Sequence, residues 1–196
     1  LGCQSGVMLT ASHNPKEYNG YKAYGADGGQ LTGPHDVNVI EHVRKIASVD
    51  DIKFDGQDDL IETIGKDMDE QYLEAILKLS ISKEAIQRQH DLAIVFSPIH
   101  GTGGVLVPPA LERFGFTNVQ LVEEQMVVDG NFPTVIYPNP EEEEALTLAL
   151  EQAKANDAEL VMANDPDADR VGIAIRNGEG EFTLLNGNQT AALLIN

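Results

Sequence analysis

Two short polar stretches carry residue types that can do chemistry. The first is "TASHNPKEYNGYK", Thr10 to Lys22, which sets Ser12 beside His13 and brings Lys22 ten residues later. A turn between two strands needs the Asn, Pro and Gly of this stretch; it has no need of the Ser-His pair or of the lysine. The second is "NDPDADR", Asn164 to Arg170, where Asp165, Asp167 and Asp169 alternate before Arg170. Residues two apart in an extended or looped backbone project to one side. Three carboxylates on one side repel one another unless a cation lies between them, and hard oxygen ligands in that number suit Mg²⁺ or Ca²⁺.

Bland alternatives stand beside both stretches. The aspartates can form a solvated acidic loop, a common feature of an acidic chain. An EF-hand loop fails on spacing: counted from Asp165, its glycine position holds Arg170 and its closing glutamate position holds Arg176. A serine hydrolase is the obvious rival for Ser12 and His13. Adjacent residues in a turn rarely place an imidazole on the neighbouring Oγ, however, and the chain has no G-x-S-x-G elbow. A third stretch, "SPIHGTGG", Ser97 to Gly104, has two readings. Its glycines let backbone amides approach a phosphate, or they serve a tight strand-to-helix turn. The turn is favoured, with His100 facing the site.

The elements that must position these residues follow from the pattern of apolar residues. "GVMLTAS" (6–12) and "GYKAYG" (20–25) read as strands flanking the first polar loop. Val37, Ile40, Val43 and Ile46 have helical spacing, Asp50–Asp59 reads as a connector with five aspartates, and Asp67–Leu79 resumes a helical period. From Leu92 onward, apolar strands (92–97, 118–122, 158–164) alternate with helices (105–114, 142–156). "VGIAI" and "EFTLL" form a hairpin, and Gly187–Asn196 begins a helix. Continuous apolar strands separated by helices predict an α/β fold with mixed, largely parallel sheets covered by helices. The aspartate loop and the glycine turn both follow strands, where ligand sites of open α/β sheets collect.

Composition narrows the partners. Thirty-two acidic residues against thirteen basic ones give a formal charge of −19, a surface that repels nucleic acid and anionic membrane. A phosphorylated substrate meets the same field unless a cation or a local cluster of Lys, Arg and His reverses it. The single cysteine, Cys3, allows no internal disulfide. No apolar run reaches the length of a bilayer span, and nothing reads as a signal peptide, so a cytoplasmic protein is expected. Leu1 in place of an initiator methionine, and a final "QTAALLIN" that reads as a helix in progress, predict an internal fragment of a longer chain. Oligomeric state is not legible.

The ordered set "TASHNP", "NGYK", "VDGNFP" and "DPDADR" resembles the α-D-phosphohexomutase superfamily of phosphoglucomutases and phosphomannomutases. "FPTVIYPNPEEEEAL" and "ANDPDADR", with Pro166 where many relatives carry glycine, are most similar to the phosphoglucomutase and phosphopentomutase branch. The resemblance implies three segments: 1–66, the latter part of a first domain with the phosphoserine loop; 67–177, a complete second domain with the metal loop; and 178–196, the start of a third. It makes Ser12 the phosphoryl carrier. It makes Asp165, Asp167 and Asp169 the ligands of one Mg²⁺, with phosphorylated Ser12 completing the set. Lys22 and His13 are the catalytic candidates for moving the proton, with Lys22 favoured by the resemblance and His13 then a phosphate contact. Arg170, Asn14 and His100 are the further phosphate-side candidates, Asn14 chiefly by shaping the loop. The implied reaction moves a phosphoryl group between C1 and C6, or C5, of a sugar phosphate, with a sugar bisphosphate as intermediate and activator. The alternative is that these residues by themselves form a catalytically incompetent Mg²⁺-binding or interaction module.

Overall fold

The computed structural model describes residues 1–195. Asn196, the last position of the expected final helix and third segment, lies outside the described residues. The chain divides into two compact units. The first comprises Leu1–Thr10 and Asn19–Gly65; the second comprises the loop Ala11–Tyr18 together with the chain from Lys66 onward.

The first unit is built on strands β1 (Gly6–Leu9) and β2 (Tyr21–Tyr24), paired antiparallel with Leu9 opposite Tyr21. The Thr10 amide donates to the Gly20 carbonyl at 3.2 Å and closes the ladder where the polar loop leaves it. β1 stops three residues short of the expected strand end. Ser12 has φ 53°, a left-handed backbone that no strand accommodates. Helix α1 (His35–Val43) carries the Val37, Ile40 and Val43 period. The expected connector at 50–59 holds two short 3₁₀ turns, Val49–Asp51 and Asp58–Leu60.

The second unit opens with helices α2 (Lys66–Leu77) and α3 (Lys83–Arg88) and continues through strand β3 (Ile94–Ser97) and helix α4 (Gly103–Phe114). Strand β4 (Val119–Leu121), the single-turn helix α5 (Glu123–Met126), helix α6 (Thr147–Ala155) and strand β5 (Leu160–Asn164) follow. The hairpin of β6 (Val171–Arg176) and β7 (Phe182–Leu185) and helix α7 (Gly187–Ile195) complete it. The sheet order is β4-β3-β5-β6-β7. β3 runs parallel to both β4 and β5, while β6 and β7 pair antiparallel, so the sheet is mixed and parallel in the half formed by β4, β3 and β5. All four residues of β3 are buried, as expected of a central parallel strand.

Alanines let α6 lie close on the sheet: Ala149 and Ala153, one turn apart, are fully buried against Val95, Val161 and Ala174. The expected helix over 142–156 is corrected here. Its first turn is a 3₁₀ segment, Glu144–Leu146, and α6 begins only at Thr147. Ala145 and Leu146 both enter the core beside Ile99 and Ala163, and the tighter i→i+3 bonds turn two consecutive residues inward. α4 ends on Gly115, whose left-handed φ of 109° and amide bonds to Leu111 and Glu112 form a glycine C-cap. No helix among the described residues is long and apolar enough to cross a membrane.

What matters for the site is the register of β3 on β5. Ser97 lies opposite Ala163 in parallel strands, so the loops that follow, 98–102 and 165–170, leave the sheet side by side at its carboxyl edge.

Candidate functional site

The loop 165–170 joins β5 to β6 and is wound around one carboxylate. Asp165 is fully buried. Its main-chain carbonyl accepts from the Ala168 amide at 2.9 Å, and its Oδ1 accepts from the Arg170 amide at 3.0 Å. The Asn164 side-chain amide donates to the Arg170 carbonyl at 2.6 Å and ties the two ends of the loop together. Ala168, at φ 59°, supplies the left-handed step that makes the reversal. Each of Asp165, Asp167 and Asp169 offers a carboxylate oxygen, and these atoms lie within 4.8 Å of one another. Three hard oxygens at that spacing are a donor set that could hold a divalent cation.

The turn after β3 supports this loop from one side. The Thr102 amide and hydroxyl both donate to the Pro166 carbonyl, at 2.9 and 3.1 Å. A side chain at Gly101 would place its Cβ 2.3 Å from Pro166 Cα, so only glycine allows this approach. Of the two readings of "SPIHGTGG", the tight turn is therefore the one with a structural basis.

The loop 11–18 meets the aspartates through its serine. The Ser12 hydroxyl donates to Asp165 Oδ2 at 2.7 Å, joining residues 153 positions apart. His13 Nδ1 lies 3.3 Å from the same Oγ. Neighbours in a turn rarely make this contact, and here Ser12, in the left-handed region at φ 53°, does make it. The serine proton is nevertheless committed to Asp165, so His13 is not arranged as a hydrolase base. Asn14 is exposed, and its amide donates to the Ala11 carbonyl at 3.1 Å, which shapes the turn.

Arg170 has both main-chain groups fixed within the loop while the residue itself is exposed. Lys22 belongs to the first unit, half-buried on β2 opposite Met8. His100 is corrected. It is only 2% exposed, its Nδ1 lies 2.9 Å from the Val127 carbonyl, and its Nε2 lies 2.8 Å from Thr134 Oγ1. With both ring nitrogens engaged in the interior, it offers nothing to a phosphate. Sequence reasoning missed Gly101, Thr102 and Pro166 as the joint between the two loops. The glycine within a strand-to-helix turn was the available signal.

Burial pushes the Asp165 carboxyl above the usual carboxylate range; hydrogen bonds from Ser12 and the Arg170 amide oppose the shift, and Asp167 adds to it. The folded state thus holds this proton more tightly than the unfolded chain. The resulting stability is complete below the ordinary value of about 3.9 and is lost as pH rises through the elevated folded value. In cation-free buffer, the melting temperature of the parent should fall relative to that of Asp165→Asn as pH rises above the ordinary carboxylate value of about 3.9. Parallel melting curves over that rise would show that Asp165 carries no such load.

Residues 70–178 match the model of the family described as phosphoglucomutase/phosphomannomutase, alpha/beta/alpha domain II, and residues 1–50 match that of domain I. A phosphoglucomutase of Staphylococcus haemolyticus is 38% identical over 195 residues, covering 100% of this chain and 36% of that protein. A phosphoglucomutase of Staphylococcus aureus is 38% identical over 199 residues, with 100% and 35% covered. The chain therefore spans little more than a third of the length of these relatives. Among solved structures, a phosphoglucomutase/phosphomannomutase family protein from Burkholderia thailandensis superposes with a TM-score of 0.68 at 26% identity, covering 97% of this chain and 36% of that one. An Aspergillus fumigatus N-acetylphosphoglucosamine mutase shares the fold at 17% identity, with a TM-score of 0.57 over 98% of this chain and 47% of that one.

Proposed function

The chain belongs to the phosphoglucomutase/phosphomannomutase family, and on that premise we propose that it carries the phosphoryl-accepting serine and the cation loop of a phosphosugar mutase. The observation that supports this reading best is the 2.7 Å contact of Ser12 Oγ with Asp165. It sets a nucleophilic oxygen on the edge of a three-carboxylate cluster. The left-handed backbone at Ser12 is a strained geometry of the kind that persists where the surroundings hold it, and it aims the hydroxyl at the cluster.

In the proposed cycle, phosphorylated Ser12 gives its phosphoryl group to a free hydroxyl of a sugar monophosphate. The Oγ–P bond breaks as the sugar O–P bond forms, the sugar hydroxyl loses its proton, and Ser12 regains one. The bisphosphorylated sugar then returns its other phosphoryl group to Ser12, so phosphate has moved between C1 and C6, or C5, of the sugar. Mg²⁺ held by Asp165, Asp167 and Asp169 would supply charge neutralisation at the phosphoryl oxygens when bound. His13, beside Oγ, is placed to donate to a phosphoryl oxygen there. Arg170 offers the planar donor fork suited to phosphate. Lys22 is proposed as the proton handler on the strength of the family pattern. Phosphoryl transfer asks mainly for positioning and charge neutralisation, which these groups offer.

Because the chain spans 36% of its relatives, turnover is proposed for the longer protein, with this chain alone acting as a cation-binding half-site. The cation site is tested on the chain itself by titration with Mn²⁺ followed by electron paramagnetic resonance. Asp167→Asn should weaken binding at least about tenfold, since it removes one charged hard-oxygen ligand. Equal affinity in parent and variant would reduce 165–170 to an acidic loop.

A further inference from the structure

A chain of buried polar side chains runs behind the site and is not explained by packing. Ser97, His100 and Gln125 are all buried in the second unit. The Ser97 hydroxyl donates to Gln125 Oε1 at 2.5 Å and accepts the Ile99 amide at 3.0 Å. Gln125 Nε2 donates to Thr134 Oγ1 at 3.0 Å. The directions of the remaining bonds follow. The Val127 carbonyl can only accept, so His100 Nδ1 carries a proton; neutral imidazole then leaves Nε2 as an acceptor, and the Thr134 hydroxyl donates to it. Each side-chain nitrogen and hydroxyl in the run Ser97, Gln125, Thr134, His100 thus has a hydrogen-bond partner.

The run grips a strained turn. Ile99 and His100 are consecutive non-glycine residues in the left-handed region, at φ 46° and 61°. Such a backbone is strained for a residue other than glycine and persists where the surroundings over-determine it. The His100 amide donates to the Gln125 carbonyl at 2.8 Å and its carbonyl accepts from the Asp129 amide at 3.2 Å, so main chain and ring are both held. The next two residues are Gly101 and Thr102, which seat Pro166 between Asp165 and Asp167.

We propose that Thr134, acting through His100 and Gln125, is a positioning residue for the cation loop: its hydroxyl fixes the Ile99–His100 turn, and that turn sets the height of Pro166 and of the aspartates on either side. The proposal rests on the reading of 165–169 as a cation site. Its functional content is that a side chain remote in sequence from both polar stretches sets their affinity for metal.

Thr134→Val keeps the shape and removes the hydroxyl, leaving Gln125 Nε2 and His100 Nε2 without their shared partner. Thr134→Ser keeps the hydroxyl. Thr134→Val is expected to weaken Mn²⁺ binding about tenfold and to speed exchange of the Thr102 amide by a similar factor, relative to the Ile94 amide in β3. Thr134→Ser should restore both to within about twofold. Equal behaviour of the two variants, or exchange accelerated alike at Thr102 and Ile94, overturns the proposal in favour of a general packing role. If the parent chain itself shows no Mn²⁺ response, the cation reading fails, while Thr102 exchange still decides whether Thr134 holds the turn. One measurement needs no variant: ¹⁵N spectra of the parent must show His100 protonated at Nδ1 and not at Nε2, and the opposite tautomer refutes the bond directions on which the proposal depends.

Discussion

On the proposed cycle, replacing Ser12 with alanine in the longer protein should abolish phosphate uptake and cut mutase turnover by on the order of 10⁴- to 10⁶-fold, the range found when a nucleophile that works as part of a unit is removed. The reason is specific to the geometry. Ser12 Oγ contacts both Asp165 Oδ2 and His13 Nδ1, at 2.7 and 3.3 Å. Alanine adopts the same left-handed φ at similar cost, so the loop itself should survive and the loss should be chemical. Ser12→Thr separates chemistry from placement. It retains a hydroxyl, but a β-branched residue at φ 53° is a steric outlier, and the hydroxyl is expected to leave the cluster. Threonine should therefore recover little of the lost rate. Intact mass after exposure to a sugar bisphosphate reads phosphate uptake, and steady-state assays with hexose and pentose 1-phosphates read turnover. Full activity in Ser12→Ala would remove this residue from the role of carrier.

How legible the molecule is in its sequence depends on which physical quantity each residue reports. The β3 and β5 runs are apolar enough to declare themselves as buried parallel strands, and their shared carboxyl edge follows from that. The alternating aspartates announce a cluster because charge density is a local property. His100 misled because a residue type shows the capacity to bind phosphate but not whether water or protein surrounds it. Thr134 and Gln125 gave no signal at all: a threonine in a proline-rich loop and a glutamine after two glutamates look like surface. Their roles arise only when the fold brings Ser97, His100, Gln125 and Thr134 together. The short helices α3 and α5 also escaped, having too few residues to show a period. The start of α6 was misplaced because four consecutive glutamates favour a helix beginning, whereas burial of Ala145 and Leu146 imposes a tighter turn. Gly101 lay between these cases. The turn was readable, but the neighbour that forbids a side chain there, Pro166, lies 65 residues on.

Gly101→Ala should be the most damaging single-methyl change at the site. Its Cβ would stand 2.3 Å from Pro166 Cα, 2.5 Å from its carbonyl oxygen and 2.7 Å from its carbonyl carbon. Carbon atoms rest about 3.5–4.0 Å apart, so the two loops must part by more than about 1 Å. All three neighbours are main-chain atoms, and no rotamer change can clear them. The Thr102 bonds to the Pro166 carbonyl would stretch first, and Asp165 and Asp167 would move with Pro166. We expect a loss of about 3 kcal/mol in stability, at the upper end for overpacking, and at least about a hundredfold in Mn²⁺ affinity as the carboxylates lose their common focus. Gly104→Ala is the matched control. Its Cβ meets Met126 Cε at 3.2 Å, the end of a flexible side chain, and within α4 alanine gains up to about 1 kcal/mol in helix propensity over glycine. Denaturant unfolding and Mn²⁺ titration of the two variants side by side decide the matter. If Gly101→Ala costs no more than Gly104→Ala in both, the close seat of Pro166 on the turn is not what holds the aspartates together.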